Sequence, residues 1–168
     1  SALTISELRS KCRQLKSKNN LGLIIIDYLQ LMSTTGRVES RQQFVSDMSR
    51  SLKMLARELD VPIIALSQLN REVDKRPDHK PVLADLRESG SIEQDADVVM
   101  LLYRPALYGL TSERKSKFPS EGLGMVILAK HRNGETGDVY FGHNPTLTKI
   151  GEYEPTLEWM ARNARSSC

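Results

Sequence analysis

The sequence predicts an α/β fold, and three features carry that prediction. Residues 23–26 form a wholly apolar run that ends in Asp27, and residues 63–66 form a second such run. Between them, from Phe44 to Leu59, apolar residues recur at the spacing of an amphipathic helix. Fully apolar runs of this length are typical of strands buried on both faces, so strand, helix and strand together predict the unit of a parallel sheet.

The elements on either side of this unit follow from the same patterns. Thr4 and Glu7 have the spacing of a helix-start capping box, which predicts a first helix that ends near Lys16. A third apolar strand covers residues 97–103, and Pro105 ends it. Polar segments at residues 70–80 and 106–120 predict loops.

The last part of the chain predicts a hairpin. Residues 124–130 form a fourth strand, residues 133–137 read Asn-Gly-Glu-Thr-Gly and predict a turn, and residues 138–141 return as the partner strand. Residues 147–150 add an edge strand. The predicted architecture is therefore a mostly parallel sheet flanked by helices, with a C-terminal antiparallel hairpin.

Length and composition fit one domain, which we divide into residues 1–150 and a C-terminal tail, residues 151–168. No apolar stretch approaches the roughly 18 residues that span a bilayer, and the start of the chain lacks a signal-peptide pattern. We therefore expect a cytoplasmic protein without membrane partners. Cys12 and Cys168 offer neither a metal cluster nor a disulfide framework.

The formal net charge of +3 is too small to identify a polyanionic partner. Its distribution is more informative, because basic residues gather in segments that read as loops or strand ends. These segments are residues 71–80, 114–117 and 130–132.

Two polar residues follow the apolar strands. Asp27 closes the first strand and is a candidate ligand of Mg²⁺, while Gln68 follows the second and is a candidate sensor of a terminal phosphate. Parallel winding predicts that both lie at one edge of the sheet. An Asp that caps a turn and an ordinary surface Gln are the alternatives, and Tyr28 supplies no adjacent base to activate water.

Two further segments carry candidate phosphate ligands. Residues 85–91 read Asp-Leu-Arg-Glu-Ser-Gly-Ser and combine a cation with backbone amides, although a charged helix end with Gly90 as its C-cap fits equally. Lys130 and Arg132 end the fourth strand and are expected to project from the same face, in the manner of an arginine finger or of a solvated strand end. The histidines form no cluster.

Together these segments resemble one family, the replicative DNA helicases of the DnaB type, whose motor is a RecA-like P-loop NTPase domain. The resemblance covers most of residues 2 to about 150, in the family's order. The segments that carry it are ALTISELRSKCRQL, GLIIIDYLQLM, SDMSRSLKMLARELDVPIIALSQLNREVDKR, DLRESGSIEQDADVVMLLYR and ILAKHRNGETGDV.

The resemblance implies a role for each candidate residue. Asp27 looks like the Walker B acid that supports Mg²⁺, and Gln68 looks like the residue that couples the nucleotide to the DNA loops. Residues Arg87, Glu88 and Gly90 match the loop that holds single-stranded DNA. Lys130 and Arg132 match the pair that reaches the ATP of the adjacent subunit.

The family also implies partners and cofactors: ATP, Mg²⁺, single-stranded DNA, a homo-hexameric ring, a primase and a helicase loader, at the bacterial replisome or in an organellar stroma. Its P-loop lysine, catalytic glutamate and N-terminal domain have no counterpart in this sequence, so the resemblance is to a truncated motor. We expect the isolated chain to be inactive as an ATPase. A non-enzymatic DNA-binding or interaction domain, and a RecA-like recombinase or clock-type ATPase, are the alternatives.

Overall fold

The computed structural model describes residues 3–33, 40–89, 92–144, 146 and 148–155. The chain forms two compact units, which are considered separately. One contains the residues up to Asn70 together with Ala84–Asp97, and the other contains Arg71–Leu83 together with the residues from Val98 onward. The predicted tail lies mostly outside the described residues, so its separation from residues 1–150 stays a prediction.

The first unit begins with helix α1, Ile5–Lys18, whose start is the predicted capping box. The Thr4 hydroxyl accepts a hydrogen bond from the Glu7 amide at 3.2 Å, and the Glu7 carboxylate accepts one from the Thr4 amide at 2.8 Å. These bonds satisfy donors that a helix start leaves unpaired, and they lower the pKa of Glu7. Leu8 and Cys12 face the core, where burial raises the pKa of the Cys12 thiol.

Thr4→Ala removes the acceptor for the Glu7 amide and is expected to lower the free energy of unfolding by about 1 kcal/mol. Urea denaturation followed by circular dichroism measures the change. Ser10→Ala is the matched control, because Ser10 is exposed inside α1, where alanine is at least as favourable. Equal stability of the Thr4→Ala variant and the native chain would show that the cap contributes nothing.

The parallel unit is formed by strand β1, Ile24–Ile26, helix α2, Arg41–Leu59, and strand β2, Ile63–Ala65. The strands pair in parallel with Ile26 opposite Ala65. Helix α2 ends at Asp60, which adopts the left-handed conformation. One side of this unit is a continuous core of side chains from α1, β1, α2 and the segments that follow them: Leu8, Cys12, Ile24, Ile26, Leu29, Met32, Met48, Leu52, Leu55, Leu59 and Val61.

The second unit is an antiparallel sheet in the order β3-β4-β5-β6. Its strands are β3, Val98–Tyr103; β4, Leu123–His131; β5, Gly137–His143; and β6, Ile150–Gly151. The centre is dry, because Leu123 and Met125 of β4 have no exposed surface. The predicted hairpin is therefore present, with a longer second strand than the pattern indicated.

The expected excess of parallel strands is corrected by the pairing of β3. Among the described residues, one strand pair is parallel and three are antiparallel. The connection between β3 and β4 contains a 3₁₀ helix, Pro105–Tyr108, and no α-helix among its described residues. A parallel return needs a crossover of a dozen or more residues that is usually helical, so β4 comes back beside β3 in the opposite direction.

Both sheets expose apolar side chains on one face. On the parallel pair, Ile25 is 63% exposed and Ile64 is also exposed. On the antiparallel sheet, burial alternates along β3, which leaves Met100 and Leu102 exposed, the latter by 69%. Such alternation is the pattern of a strand packed on one face only.

Candidate functional site

The carboxyl edge of the parallel pair carries the first two predicted residues. Asp27 follows β1 directly and Gln68 follows β2, and the parallel register of Ile26 with Ala65 sets both at the same edge. Both residues are exposed. The structure thus brings together the two residues that the sequence analysis selected, while their chemical roles stay predictions.

Gln30 holds this edge together and was missed by the sequence analysis. Its side-chain amide donates to the Ser67 hydroxyl at 3.0 Å, and its amide oxygen accepts a hydrogen bond from the Gln68 backbone N–H at 3.4 Å. The Leu29 N–H also donates to the Leu66 carbonyl at 2.9 Å. One side chain therefore ties the segment after β1 to the segment after β2, and it leaves the Gln68 side chain available to a ligand.

The Asp27 carboxylate fits a metal site whose other ligands come from a bound substrate. Within the described residues it makes no hydrogen bond or ion pair, and no group of three or more His, Cys, Asp or Glu side chains there could hold a metal ion. Mg²⁺ is commonly bound through one or two carboxylates with waters and substrate phosphates, rather than by an all-protein cage. A single exposed carboxylate matches that requirement.

The predicted DNA-binding residues begin in a 3₁₀ helix, Leu83–Ser89, rather than in an open loop. Asp85 and Leu86 anchor this helix because both are buried, and the Asp85 carbonyl accepts a hydrogen bond from the Asn70 amide at 3.0 Å. Arg87 and Glu88 lie on the same helix, but their side chains, and all of Gly90, are outside the described residues. Their roles stay predictions.

The β4–β5 hairpin carries the two predicted cations in different settings. Lys130 lies within β4 and is half-buried, whereas Arg132 is exposed and lies in the turn beyond His131, where β4 ends. The pairing also shifts between Val99 and Met100 of the neighbouring strand, at a β-bulge. The expectation that strand alternation sets both side chains on one face is therefore wrong, because it requires regular strand geometry through Arg132.

The turn that presents Arg132 is packed by a histidine. A Cβ at Gly134 would lie 2.4 Å from the His131 ring, and the Nδ1 atom of that ring lies 3.3 Å from the Glu135 carbonyl oxygen. Only glycine fits against the ring at this position. His131, which the sequence analysis set aside, therefore shapes the turn from within the hairpin.

Comparison with known proteins places this geometry in a family. The family model described as the DnaB-like helicase C terminal domain matches residues 1–152. The chain belongs to the DnaB-like helicase family. This confirms the resemblance found in the sequence, and no helix among the described residues is long and apolar enough to cross a membrane.

Relatives and solved structures agree with this assignment. The replicative DNA helicase DnaB of Leifsonia xyli is 52% identical over 91% of this chain and 32% of its own length, and that of Geobacillus stearothermophilus is 54% identical over 82% and 29%. Two solved structures, one of an isolated ATPase domain and one of a DnaB-like replicative helicase described with its interactions with primase, each align with a TM-score of 0.81 and 42% identity over 91% of this chain.

These comparisons confirm the RecA-like α/β class and also define the extent of the match. The chain spans about a third of the length of these DnaB relatives, 52% of the solved ATPase domain and 36% of the helicase solved in relation to primase. The matched part of the family includes the Asp27 and Gln68 edge and the hairpin with Lys130 and Arg132.

Proposed function

We propose that this chain supplies part of the motor of a replicative DNA helicase, in which ATP hydrolysis drives translocation along single-stranded DNA and unwinding of the duplex, 5′ to 3′. The observation that carries the proposal is the family match over residues 1–152, with Asp27 and Gln68 at one edge of the parallel pair. We place the protein at the replication fork, in the bacterial cytoplasm or an organellar stroma.

Each residue of the edge has a separate task in this proposal. Asp27 would hold Mg²⁺, which neutralises charge that develops on the transferred phosphoryl group. Gln68 contacts the terminal phosphate or the attacking water through its exposed side-chain amide. Gln30 fixes the backbone of Gln68, so the amide meets its ligand without first ordering the segment.

The hairpin acts on a different nucleotide. Arg132 is exposed on a packed turn, which suits a cation that reaches the ATP of an adjacent subunit, with Lys130 as its companion. This assignment requires an oligomer, and we propose the homo-hexameric ring of the DnaB type.

DNA and protein partners complete the proposal. Backbone amides and side chains near Arg87, Glu88 and Gly90 bind phosphates of single-stranded DNA, so binding is expected to weaken with salt and to be nearly independent of base sequence. A primase partner is supported by the solved helicase whose description includes primase, to which this chain aligns over 91% of its length. A helicase loader is proposed from the family alone.

The function is testable by supplying what the matched relatives contain beyond this region. In a chimera, this chain replaces the matched segment of the Geobacillus stearothermophilus helicase, which is 54% identical to it. We expect DNA-stimulated ATPase from the chimera and none from the 168-residue chain alone. DNA binding without any ATPase would support the non-enzymatic alternative, and turnover by the chain alone would contradict the expected inactivity.

Asp27→Asn keeps the shape of the side chain but removes its charge, so the chimera should lose roughly 100-fold in kcat, with weaker Mg²⁺-dependent binding of ATP. Steady-state ATPase and titration with a fluorescent ATP analogue measure the two effects. Asp47→Asn is the matched control, because Asp47 is exposed on α2. Unchanged Mg²⁺ dependence in the Asp27→Asn chimera would remove Asp27 from the metal site.

A further inference from the structure

The polar segment Arg71–Leu83 is ordered and packed, contrary to the simple loop that its composition predicted. It belongs to the antiparallel unit, although the residues on both sides of it, Asn70 and Ala84, belong to the parallel unit. It starts with a 3₁₀ helix, Arg71–Lys75, whose Val73 is buried. Its length and internal packing are those of an Ω-loop, a class of loop that is frequently functional.

Lys80 connects this segment to two carboxylates of the same unit. Its Nζ atom lies 3.2 Å from Glu113 Oε1 and 3.5 Å from Asp138 Oδ2. Lys115 lies 3.4 Å from the same Asp138 oxygen, from the exposed side. Lys80 therefore bridges a loop residue and a strand residue, since Asp138 belongs to β5.

The central carboxylate is buried and fully used. Only 1% of the Glu113 side chain is exposed, and its Oε2 atom accepts hydrogen bonds from the amides of Lys115 and Ser116 at 2.8 and 2.6 Å and from the Ser116 hydroxyl at 2.9 Å. Burial alone would raise the pKa of Glu113, but the Ser116 bonds and Lys80 outweigh it and hold the pKa below its usual value. A charge in this setting needs its partner, so Lys80 is strongly held.

Two aromatic contacts fix the residues just before Lys80. The Tyr103 hydroxyl of β3 donates a hydrogen bond to the Asp78 carbonyl oxygen, and the His79 ring stacks on Tyr108 with centroids 4.5 Å apart. Burial, with smaller contributions from Asp78 and Glu113, raises the pKa of Tyr103 to about 12, so the phenol stays a donor at neutral pH. The segment is thus fixed to the sheet beside Lys80 as well as through it.

The Asp138 contact links Lys80 to the hairpin that bears the cations. Asp138 pairs with Ile127 of β4, and Lys130 lies further along the same strand, about 10 Å away at the usual strand rise. In the other direction, the segment Arg71–Leu83 continues the backbone that leaves Gln68. The ion cluster therefore joins the segment that follows the predicted phosphate sensor to the hairpin that carries the predicted trans-acting cations.

We propose that Lys80 is a positioning residue of the motor: by pairing with Glu113 and Asp138 it fastens the segment that follows Gln68 to the β4–β5 hairpin, so that segment and hairpin move as one body. The proposal rests on the proposed function for what the hairpin cations do. It extends that function by naming the residue that sets where Lys130 and Arg132 stand.

Hydrogen exchange on the 168-residue chain tests the fastening without any ATPase. Lys80→Met keeps the apolar stem and removes the charge. We expect exchange to rise at least about tenfold both in residues 71–83 and in β5, Gly137–His143, and Lys80→Arg to restore most of the protection. Lys75→Met is the control, because Lys75 forms an exposed pair with Glu72. Unchanged exchange in β5 would overturn the proposal.

Kinetics of the chimera test the consequence for catalysis. A loosened hairpin misplaces the trans cations in the transition state but leaves ATP binding to the subunit's own edge intact, so Lys80→Met should lower kcat at least about tenfold and change KM for ATP by less than about twofold. A normal kcat with a loosened hairpin would overturn the positioning role. A native chimera without ATPase would instead contradict the proposed function, and the exchange result would still stand on its own.

Discussion

Arg132→Ala in the chimera is expected to lower kcat for ATP hydrolysis by about 10³-fold, with little change in ATP binding. A trans-acting arginine stabilises charge that is present only in the transition state, so its loss appears in kcat rather than in affinity. Arg132 suits this task because it is exposed on a turn that Gly134 and His131 pack tightly. Single-turnover ATPase and equilibrium binding of a fluorescent ATP analogue measure the two quantities.

Mixed oligomers separate action in trans from action within one subunit. Subunits with Arg132→Ala and subunits with Asp27→Asn are each expected to be inactive alone, but mixing them creates interfaces that contain one intact residue of each kind. Partial recovery of ATPase on mixing is expected only if the arginine serves its neighbour. Arg114→Ala is the control for loss of a surface cation, because Arg114 is exposed and lies 3.8 Å from its partner Asp78. No recovery in verified mixed rings would refute the trans assignment.

Glu113→Ala is expected to lower the free energy of unfolding of the isolated chain by about 3 kcal/mol at neutral pH. The substitution leaves the Lys115 and Ser116 amides and the Ser116 hydroxyl without their acceptor, and it leaves Lys80 with Asp138 alone. Urea unfolding followed by circular dichroism measures the loss. Glu72→Gln is the control in the same unit, since its exposed pair should contribute less than about 1 kcal/mol.

The effect of Glu113 should depend on pH in one direction. Its pKa in the folded chain is below the ordinary value of 4.5, so the charged form stabilises the fold above that value and the contribution is lost as the pH falls through the folded pKa. Glu113→Gln should therefore differ most from the native chain at about pH 7 and converge with it below pH 4.5. A difference that does not change with pH would show that the charge is not what stabilises this loop.

Local patterning predicted the parallel unit well, because one physical rule fixes each of its elements. Apolar periodicity set α2, and the Thr4 and Glu7 spacing set the start of α1. The edge with Asp27 and Gln68 then followed from the handedness of parallel strands, which is independent of sequence detail. The predicted first strand was longer than the Ile24–Ile26 that pairs, because apolar residues continue past the last backbone partner.

The rest depends on contacts between distant loops, which leave no periodic trace in a single sequence. Lys80, Glu113 and Asp138 come from segments that read individually as polar loops and a strand end, and each could equally have been solvated. Gln30 is similar, because its partners Ser67 and Gln68 lie on the next strand connection. The direction of β3 relative to β4 is likewise a property of the whole connection between them and not of either strand.

The bare apolar faces of the two sheets have a consequence for handling this polypeptide in solution. Ile25 on one sheet and Leu102 on the other present to water the kind of surface that hydrophobic resins and dyes bind. With a net charge of only +3, repulsion between molecules offers little protection against clustering. Its colloidal state should therefore depend on protein concentration and on lyotropic salts, and scattering at several dilutions belongs beside every binding or exchange measurement.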